Sequence, residues 1–566
     1  DNQSYKGAPK REQLLTRLGH LKSERASWIA HWQEITSYIL PRNGRYFQQD
    51  RNRGYRRHNN IYDNTGTRAL RTLGAGMMAG ATSPARQWFR LGTGDPDLNA
   101  YSPVKLWLDT VTKRMQSVFQ QSNTYRSLHQ MYEELGAFGT AVSIVLPDFK
   151  NVIHHYPVTV GEYCIASDYQ GMVCTLYREF DKTVAELVKE FGYKNCSHSV
   201  RNLYDRGSLD QWIPIIHAIE PREDRDSSKK DAKNMPFRSC YFEVGGDDGK
   251  YLREGGYKHF PVMCPRWSVV GGDIYGNSPG MEALGDIKQL QHEQLRKAQV
   301  IDYQTKPPLQ VPNSMKNRDV ESLPGGITFV DGGSQGIKTA FEVNLNLQHL
   351  LGDIQDVRDR VRGSFYADLF MMLANATDTR MTATEVAERH EEKLLMLGPV
   401  IERLHNELLD PLIDITFQHM VQAGIVPPAP PELQGMELEV EFVSMLAQAQ
   451  RAIGTNSVDR FVGNLGAIAQ MKPDVLDKFD SDKWADSYSD MLGVDPNLIV
   501  AGKQVAMIRD ARNKAIAAKE QTAMMEQQSA TAKNLAQSPT GSGQQNALMD
   551  VMNQFSGYGS PSPSQV

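Results

Sequence analysis

The pentapeptide Gly276-Asn277-Ser278-Pro279-Gly280 matches the G-x-S-x-G pattern of serine hydrolases and precedes a predicted helix. In that motif the backbone N–H of the residue after the serine stabilises the developing oxyanion. Here that residue is Pro279, which has no N–H. Ser278 is instead a residue type that caps a helix beginning with proline. A serine hydrolase that uses Ser278 is therefore the less favoured alternative to a protein that is not an enzyme.

Other short motifs also lack a group that their chemistry requires. A nucleotide-binding P-loop needs Ser or Thr after its Gly-Lys pair, whereas Gly249-Lys250 and Gly502-Lys503 precede Tyr251 and Gln504. His390-Glu391-Glu392 lacks the second histidine of a zinc-binding H-E-x-x-H helix. The sequence therefore predicts no catalytic residue, no metal site and no cofactor.

Residues 42–60 form a basic loop that has Asp50 as its one acid and that also carries Tyr46, Phe47 and Tyr55. Its six arginines are Arg42, Arg45, Arg51, Arg53, Arg56 and Arg57. Arginine beside aromatic rings suits phosphate binding and base stacking, so one interpretation is a contact with DNA or with a partner. The other interpretation, a solvated or intersubunit loop, is favoured.

Two predicted helices flank a Gly- and Pro-rich insert, and they are the elements expected to position a functional site. The first is predicted over 279–303, and Lys306-Pro307-Pro308 ends it. The insert, 306–344, is typical of short strands and turns, and a second helix with three-four apolar spacing follows over 346–372. The first helix is polar on almost every side, so it needs neighbouring helices or a wet channel.

A longer helix is predicted over 382–423, with kinks at Gly398-Pro399 and Asp410-Pro411. Before residue 277, an amphipathic helix over 10–40, further helices over 64–80 and 103–137, and several strands indicate a mixed α/β region. Residues 440–530 are predicted to be helical. The last ~30 residues are rich in Gln, Ser, Gly and Pro and are predicted to be disordered.

Length and composition exclude several classes of protein. A chain of 566 residues and 63.5 kDa is too long for one core. No apolar run approaches the ~18–20 residues that span a bilayer, so no membrane association is expected. The net charge of −5 is unusual for a protein that grips nucleic acid, because gripping requires clustered Lys and Arg. A conduit along which DNA slides has no such requirement.

Six sequence blocks, in order, resemble the head-to-tail connector (portal) proteins of short-tailed bacteriophages. They are Ile61-Tyr62-Asp63, Ala81-Thr82-Ser83-Pro84-Ala85-Arg86-Gln87-Trp88-Phe89, Leu135-Gly136-Ala137-Phe138-Gly139-Thr140-Ala141, Tyr275 to Lys288, Met381-Thr382-Ala383-Thr384-Glu385 and Leu446-Ala447-Gln448-Ala449-Gln450. The resemblance covers residues 10 to about 515. It implies an α+β, mainly helical portal fold that assembles as a ring around a central channel.

The resemblance also implies a division of the chain. It places an α/β wing at 1–277, a first stem helix at 278–305, a clip at 306–345, a second stem helix at 346–372, a tunnel loop at 373–381, a long wing helix and return at 382–439, a helical crown at 440–535 and a disordered tail at 536–566. In the tunnel loop it implies that Asn375, Thr377, Asp378, Thr379 and Arg380 face the DNA channel.

The function that the resemblance implies is that of a ring of twelve copies at one capsid vertex. Double-stranded DNA would slide through the ring, without sequence preference, during packaging and ejection. The implied partners are the packaging terminase, tail adaptor proteins, and the major capsid and scaffold proteins. The expected location is the head-tail junction of the virion, with the host cytoplasm as the place of assembly. Another virion structural protein, such as an adaptor or scaffold, is the alternative.

Overall fold

A computed structural model describes most of the chain, in two compact bodies, Asp1–Leu476 and Asp477–Val566. The described residues are 10–46, 59–95, 98–99, 101–226, 228–229, 231–246, 249–306, 309–310, 338–339, 347–375, 383–433, 435–436, 438–472, 474, 479–485, 500 and 502–537. The fold is α+β and mainly helical, as predicted.

The first body contains twelve α-helices within its described part, and the second contains one long helix. In chain order the helices are α1 (Lys10–Tyr38), α2 (Thr65–Ala81), α3 (Ser102–Gln121), α4 (Thr124–Phe138), α5 (Val184–Phe191), α6 (His198–Asp205), α7 (Pro279–Thr305), α8 (Leu347–Ser364), α9 (Ala367–Asn375), α10 (Ala383–Leu404), α11 (Asp410–Gln422), α12 (Met445–Met471) and α13 (Gly502–Gln537). None of these helices is long and apolar enough to cross a membrane.

The strands form four antiparallel sheets. They are β1 (Phe89–Thr93), β2 (Val142–Asp148), β3 (Val152–Val158), β4 (Tyr163–Ser167), β5 (Val173–Thr183), β6 (Trp212–Pro221), β7 (Phe237–Glu243), β8 (Arg253–Tyr257), β9 (Val262–Met263), β10 (Leu309–Gln310), β11 (Lys338–Thr339) and β12 (Leu438–Phe442). The largest sheet has the order β4-β5-β6-β7-β8, and a smaller one has the order β3-β2-β9. Two further pairs are β1-β12 and β10-β11.

One hydrophobic core joins most of the first body. It includes Trp32 of α1, Leu70 of α2, Leu128 of α4, Ile287 of α7 and Val357 of α8. The same core continues through α9, α10, α11 and the start of α12. Because the core runs past residue 277, the predicted division into wing and stem separates parts of one packed body. The proposed boundaries at 277 and 382 remain predictions.

The five-stranded sheet is covered on both faces. One face packs against the first half of α1 through Leu14, Leu18 and Leu21. Part of the other face packs against α5 and α6, where Leu187 and Val200 are buried. The alternation of side chains along each strand therefore buries both faces, as expected for a sheet between helical layers.

The second predicted stem helix, 346–372, is not continuous. It ends at Ser364, and α9 begins at Ala367 after Tyr366, whose φ is +52°. The break lets α9 pack on α2 so closely that a Cβ at Gly76 would lie 2.3 Å from the Phe370 Cβ. Periodicity alone missed this break, because the apolar three-four spacing continues through both helices and tertiary packing overrides it.

The long helix predicted over 382–423 is interrupted once, and not at the first proline. Pro399 lies inside α10, which runs on to Leu404. A π-helical turn over His405–Leu409 follows, and α11 then begins just before Pro411. A proline clashes with the carbonyl four residues earlier, here that of Glu407, so a wide turn at this position relieves the clash.

The predicted all-helical region 440–530 begins with a strand instead. Residues 438–442 form β12, which pairs with β1 in the register Phe89↔Phe442. The Leu-Glu-Val-Glu-Phe alternation is a strand pattern, and the long helices around it concealed the pattern. The boundary between the two bodies also falls inside the predicted crown, since α12 belongs to the first body and α13 to the second.

Within the insert the structure describes only β10 and β11, which pair through Leu309↔Thr339. The prediction of short strands in the insert is therefore confirmed for these two segments. The rest of the insert from 311 to 337 and the chain from 538 onward lie outside the described residues.

Candidate functional site

Ser278 is the anchor of α7. Its hydroxyl oxygen accepts the Met281 N–H at 3.1 Å, as an N-cap does, and its hydroxyl donates to the Ala137 carbonyl at 2.8 Å. The side chain is fully buried. A Cβ at Gly280 would lie 2.8 Å from the same Ala137 carbonyl, so only glycine permits this approach. The hydrolase-like motif is therefore a joint that holds α7 against the end of α4.

The helices α7 and α8 lie antiparallel. Arg360 and Asp286 form an ion pair at 3.1 Å, and the carboxyl groups of Glu293 and Asp353 meet seven residues further on in each direction. Residue numbers therefore increase along α7 in the direction in which they decrease along α8. The two predicted stem helices form one packed pair, although the insert of about 40 residues separates them in sequence.

Asp63 joins both of these helices to the segment before α2. Its carboxylate accepts Arg358 Nη2 at 2.7 Å and Nε at 3.0 Å from α8, and Gln294 Nε2 at 3.1 Å from α7. The Gln291 side chain accepts the Asp63 N–H at 2.8 Å and donates to the Asp63 carbonyl at 2.9 Å. Burial would raise the pKa of Asp63, but hydrogen bonds from Thr65 and Arg358 outweigh it and lower the pKa below its usual 3.8. The ionised carboxylate thus fastens the helix pair.

The carboxyl groups of Glu293 and Asp353 also meet between the two helices. Glu293 accepts a hydrogen bond from Gln289 Nε2 at 2.6 Å and is almost buried. Burial, together with the neighbouring Asp353 carboxylate, raises the pKa of Glu293 above its usual 4.5. Protonation of Glu293 therefore removes the repulsion between the two carboxylates and favours the helix pair.

The half of the pair nearest the insert leaves apolar side chains in solvent. Ile301 is 40% exposed, Tyr303 48% and Leu351 45%. Residues 301–306 of α7 are all exposed. Exposed apolar groups on a helix pair are typical of a surface that another protein surface covers.

The predicted tunnel loop is described only at its beginning. Residues 373–375 belong to α9, so the helix continues through Asn375, and the next described residue is Ala383 at the start of α10. Thr377, Asp378, Thr379 and Arg380 lie outside the described residues. The structure thus describes the two helices that flank the loop, while the role of the loop side chains remains a prediction.

The predicted basic loop divides into a described start and an undescribed remainder. Arg42 is exposed, whereas Arg45 forms an ion pair with Glu162, and the Arg45 N–H donates to the Val160 carbonyl at 2.8 Å. Arg45 therefore has a structural partner that the sequence did not indicate. The other four arginines, Arg51, Arg53, Arg56 and Arg57, lie outside the described residues.

A buried ion pair that the sequence did not reveal joins the long helix to the α/β region. Arg266 donates to Glu407 through Nη2 at 2.7 Å and Nε at 3.3 Å, and its backbone N–H donates at 2.9 Å. Both side chains are almost fully buried, at 3% and 6% exposure. Glu407 lies in the π-helical turn, which sets its direction. Only the position of a glutamate on an otherwise apolar helix face, beside Leu404 and Leu408, could have signalled it.

The described residues contain no group of three or more His, Cys, Asp and Glu side chains that could hold a metal ion. Burial raises the pKa of Cys164 to about 11 and that of Cys264 to about 12. Such thiols are poor nucleophiles near neutral pH, since the thiolate is the reactive form.

Comparisons with known proteins identify the family of this chain. A family model described as bacteriophage head to tail connecting protein matches residues 11–500. The chain is 64% identical over 550 residues to a probable portal protein of Bordetella phage BPP-1, covering 97% of this chain and 99% of the relative. It is 47% identical over 533 residues to the portal protein of Salmonella phage epsilon15, covering 94% and 96%.

Among solved structures, a chain in the virion of a native gene transfer agent particle matches 82% of this chain and 99% of its own length, with 10% identity and a TM-score of 0.37. The extent of the family match and the identity to two phage proteins show where the sequence belongs. The chain is a member of the bacteriophage head-to-tail connecting proteins, the portal proteins of phage virions.

Proposed function

We propose that twelve copies of this chain form a ring at one capsid vertex, through which double-stranded DNA is packaged and later ejected. The packaging terminase docks on the ring first, and the tail adaptor proteins dock later. Membership of the portal family supports this function. The structural observation that most supports this function is the antiparallel pair α7–α8. Asp63 holds one end of the pair together, and the other end exposes apolar side chains.

The fastened end of the pair is complete within one chain. Asp63, Gln291 and Arg358 satisfy one another there, so this part needs no further copy. The end near the insert differs, because Ile301 and Leu351 are 40% and 45% exposed in the described part of the chain. Neighbouring copies around a ring would supply that cover. A head-to-tail interface closes into a ring when its rotation permits.

The charges of α8 suit a wall along which DNA moves. Its exposed face carries Asp353, Asp356 and Asp359, of which Asp356 and Asp359 lie close to arginines of the same helix. Acid and base at alternating positions leave little net charge to attract phosphates. A protein that neutralises many phosphates binds DNA strongly, whereas a nearly neutral wall allows sliding.

Ring assembly can be tested on the purified protein. Mass photometry over a range of concentrations, with electron-microscopy class averages, should show closed rings of about twelve copies with a central hole. Ile301→Asp combined with Leu351→Asp places carboxylates on the exposed apolar end and should shift the population towards smaller species. Phe149→Ser, at the exposed tip of the β2–β3 hairpin, is the matched control. If the double variant forms rings as readily as the parent protein, the helix pair does not lie in the interface between copies.

A second test separates the conduit from another structural role. Particles assembled without this protein should fail to package DNA. Particles that package normally in its absence would contradict the proposed function, whatever the oligomeric state of the purified chain.

A further inference from the structure

One row of side chains crosses the five-stranded sheet. Arg178 of β5 lies opposite His217 of β6, which lies opposite Tyr241 of β7, which lies opposite Arg253 of β8. The His217 ring stacks on the Tyr241 ring with centroids 3.8 Å apart and an interplanar angle of 10°. The Arg253 guanidinium lies over the Tyr241 ring at 5.3 Å. Directly opposed residues of antiparallel strands share one face, so the four groups form one surface.

Positive charge is concentrated on this surface. Lys182 lies on the same face of β5, four residues after Arg178. Burial lowers the pKa of Lys182, and the nearby Arg178 and Arg253 guanidinium groups lower it further, against the effect of Glu186. Burial and the same two arginines hold the pKa of His217 well below its usual 6.5, so the imidazole is neutral. This face of the sheet therefore carries three cations, Arg178, Lys182 and Arg253, and an uncharged histidine.

The acids nearest to these cations already have partners. Glu190 forms ion pairs with Lys182 and with Arg253, the latter at 3.3 Å. Glu162, the carboxylate whose charge acts on Arg178, forms its ion pair with Arg45. Of these three cations, Arg178 is the one without an ion pair in the described part of the chain.

The Arg178 side chain forms no hydrogen bond and no ion pair with the described residues. Its guanidinium lies over the Phe180 ring at 4.4 Å, and its Nε atom is buried without an acceptor. Tyr241 lies two strands from Arg178 on the same face, and Tyr241 and Tyr156 are both near enough to influence the pKa of Arg178. Neither phenol group forms a hydrogen bond with the described residues. A buried charged donor without an acceptor is destabilising, so these donors are available to a bound acceptor.

We infer that Arg178, Tyr156 and Tyr241 bind a single oxyanion group, a carboxylate or a phosphate. A guanidinium presents parallel N–H groups that match two oxygens of either ion, and the two phenol groups supply further donors. Arg178 lies in mid-strand with its guanidinium over the Phe180 ring, and Tyr241 lies on the same face two strands away. This surround fits one anionic group and does not fit a nucleic-acid backbone, which needs a track of cations. The site is separate from the helix pair on which the proposed function rests.

The test is site-resolved chemical protection of the assembled, full-length protein. Phenylglyoxal modifies accessible arginines, and peptide mass spectrometry gives the modification rate at each position. In phosphate-free buffer of constant ionic strength, added inorganic phosphate should slow the reaction at Arg178, with a halved rate when phosphate equals its Kd. Arg126, an exposed arginine of α4, is the internal control and should not change. An unchanged rate at Arg178 would overturn the inference.

A conservative variant and two further ligands decide the remaining points. Tyr156→Phe removes one donor from a partly exposed side chain, so it should leave the fold intact and weaken phosphate protection several-fold. Acetate should protect Arg178 as phosphate does, if any oxyanion is accepted. A short DNA duplex at the same phosphate concentration should not protect it. Protection by the duplex, or full protection in Tyr156→Phe, would contradict the single-anion site.

Discussion

Replacing Glu407 with glutamine should be among the most damaging single-atom changes in the first body. Arg266 is 3% exposed, and its charge has Glu407 as its buried counter-ion. Glu407 accepts three hydrogen bonds from Arg266 and one from Arg403 Nη1 at 2.9 Å. Glutamine keeps one acceptor oxygen and turns an NH₂ group towards a guanidinium, so donors face donors. The buried charge then lacks compensation.

The expected loss is about 3–5 kcal/mol, the usual cost of removing one partner of a buried ion pair. Arg403→Met is the matched control. It removes the other, one-third exposed partner of Glu407 and should cost about 1 kcal/mol or less. The double variant Arg266→Met with Glu407→Met removes both charges and should recover most of the loss. It should not recover all of it, because the carbonyls of Gly171 and Ile274 lose their Arg266 donors.

The assay is urea unfolding at fixed protein concentration, followed by tryptophan fluorescence. Trp267 is next to Arg266 in sequence and buried, so it reports on this junction. If the free energy of unfolding of Glu407→Gln lies within about 1 kcal/mol of that of the parent protein, the buried ion pair does not stabilise this junction and the prediction is wrong. If the double variant is no more stable than Glu407→Gln, the loss comes from packing and not from the unpaired charge.

Three further predictions concern the helix pair and its loop. Ser278→Ala should cost about 1–2 kcal/mol of stability, because the helix loses its cap and the Ala137 carbonyl loses its donor. Serine-directed probes should label neither the parent protein nor the variant. Labelling of the parent that disappears in the variant would support a serine hydrolase. Because the folded pKa of Glu293 is raised, the stability that it contributes is complete below about pH 4.5 and is lost as the pH rises through the folded pKa. Glu293→Gln should therefore flatten the decline of thermal stability above pH 4.5. Parallel curves for the variant and the parent protein would refute the raised pKa of Glu293. Arg380→Glu should leave rings intact and alter DNA retention or packaging. Normal packaging by this variant would refute the assignment of residues 373–381 as the tunnel loop.

The start of the helix pair could be predicted because its signals are local. Ser278 and Pro279 are a cap and a first-turn residue, and the helix begins where they indicate. The break at Tyr366 could not be predicted, because it depends on how closely Gly76 of a distant helix approaches Phe370. Strand β12 gave a local signal, but its partner β1 lies about 350 residues earlier in the chain. Local pattern therefore determined both ends of α7, whereas long-range packing determined the break after Ser364 and the pairing of β12.

The polar and charged contacts were hidden for a different reason. Arg45 belongs to a basic loop in the sequence, and only the fold brings Glu162 to it. Arg266 and Glu407 are separated by 141 residues, and Arg178 becomes unusual only when its neighbours on the sheet are known. A single sequence shows which residues can be charged. It does not show which charges are paired, because pairing is a property of the tertiary structure.

The polar helix α7 finds many of its partners within its own chain. The sequence predicted that it needs neighbouring helices or a wet channel, and Gln291 and Gln294 bind Asp63, while Lys288 binds Glu34 at 2.6 Å. Much of its polar surface is thus satisfied inside one chain. Binding to other copies stabilises a protein in proportion to the logarithm of their concentration, but only through contacts that those copies make. The Asp63 end of the pair should therefore fold in each protomer before assembly, and only the end that exposes Ile301 and Leu351 should gain stability when the ring forms.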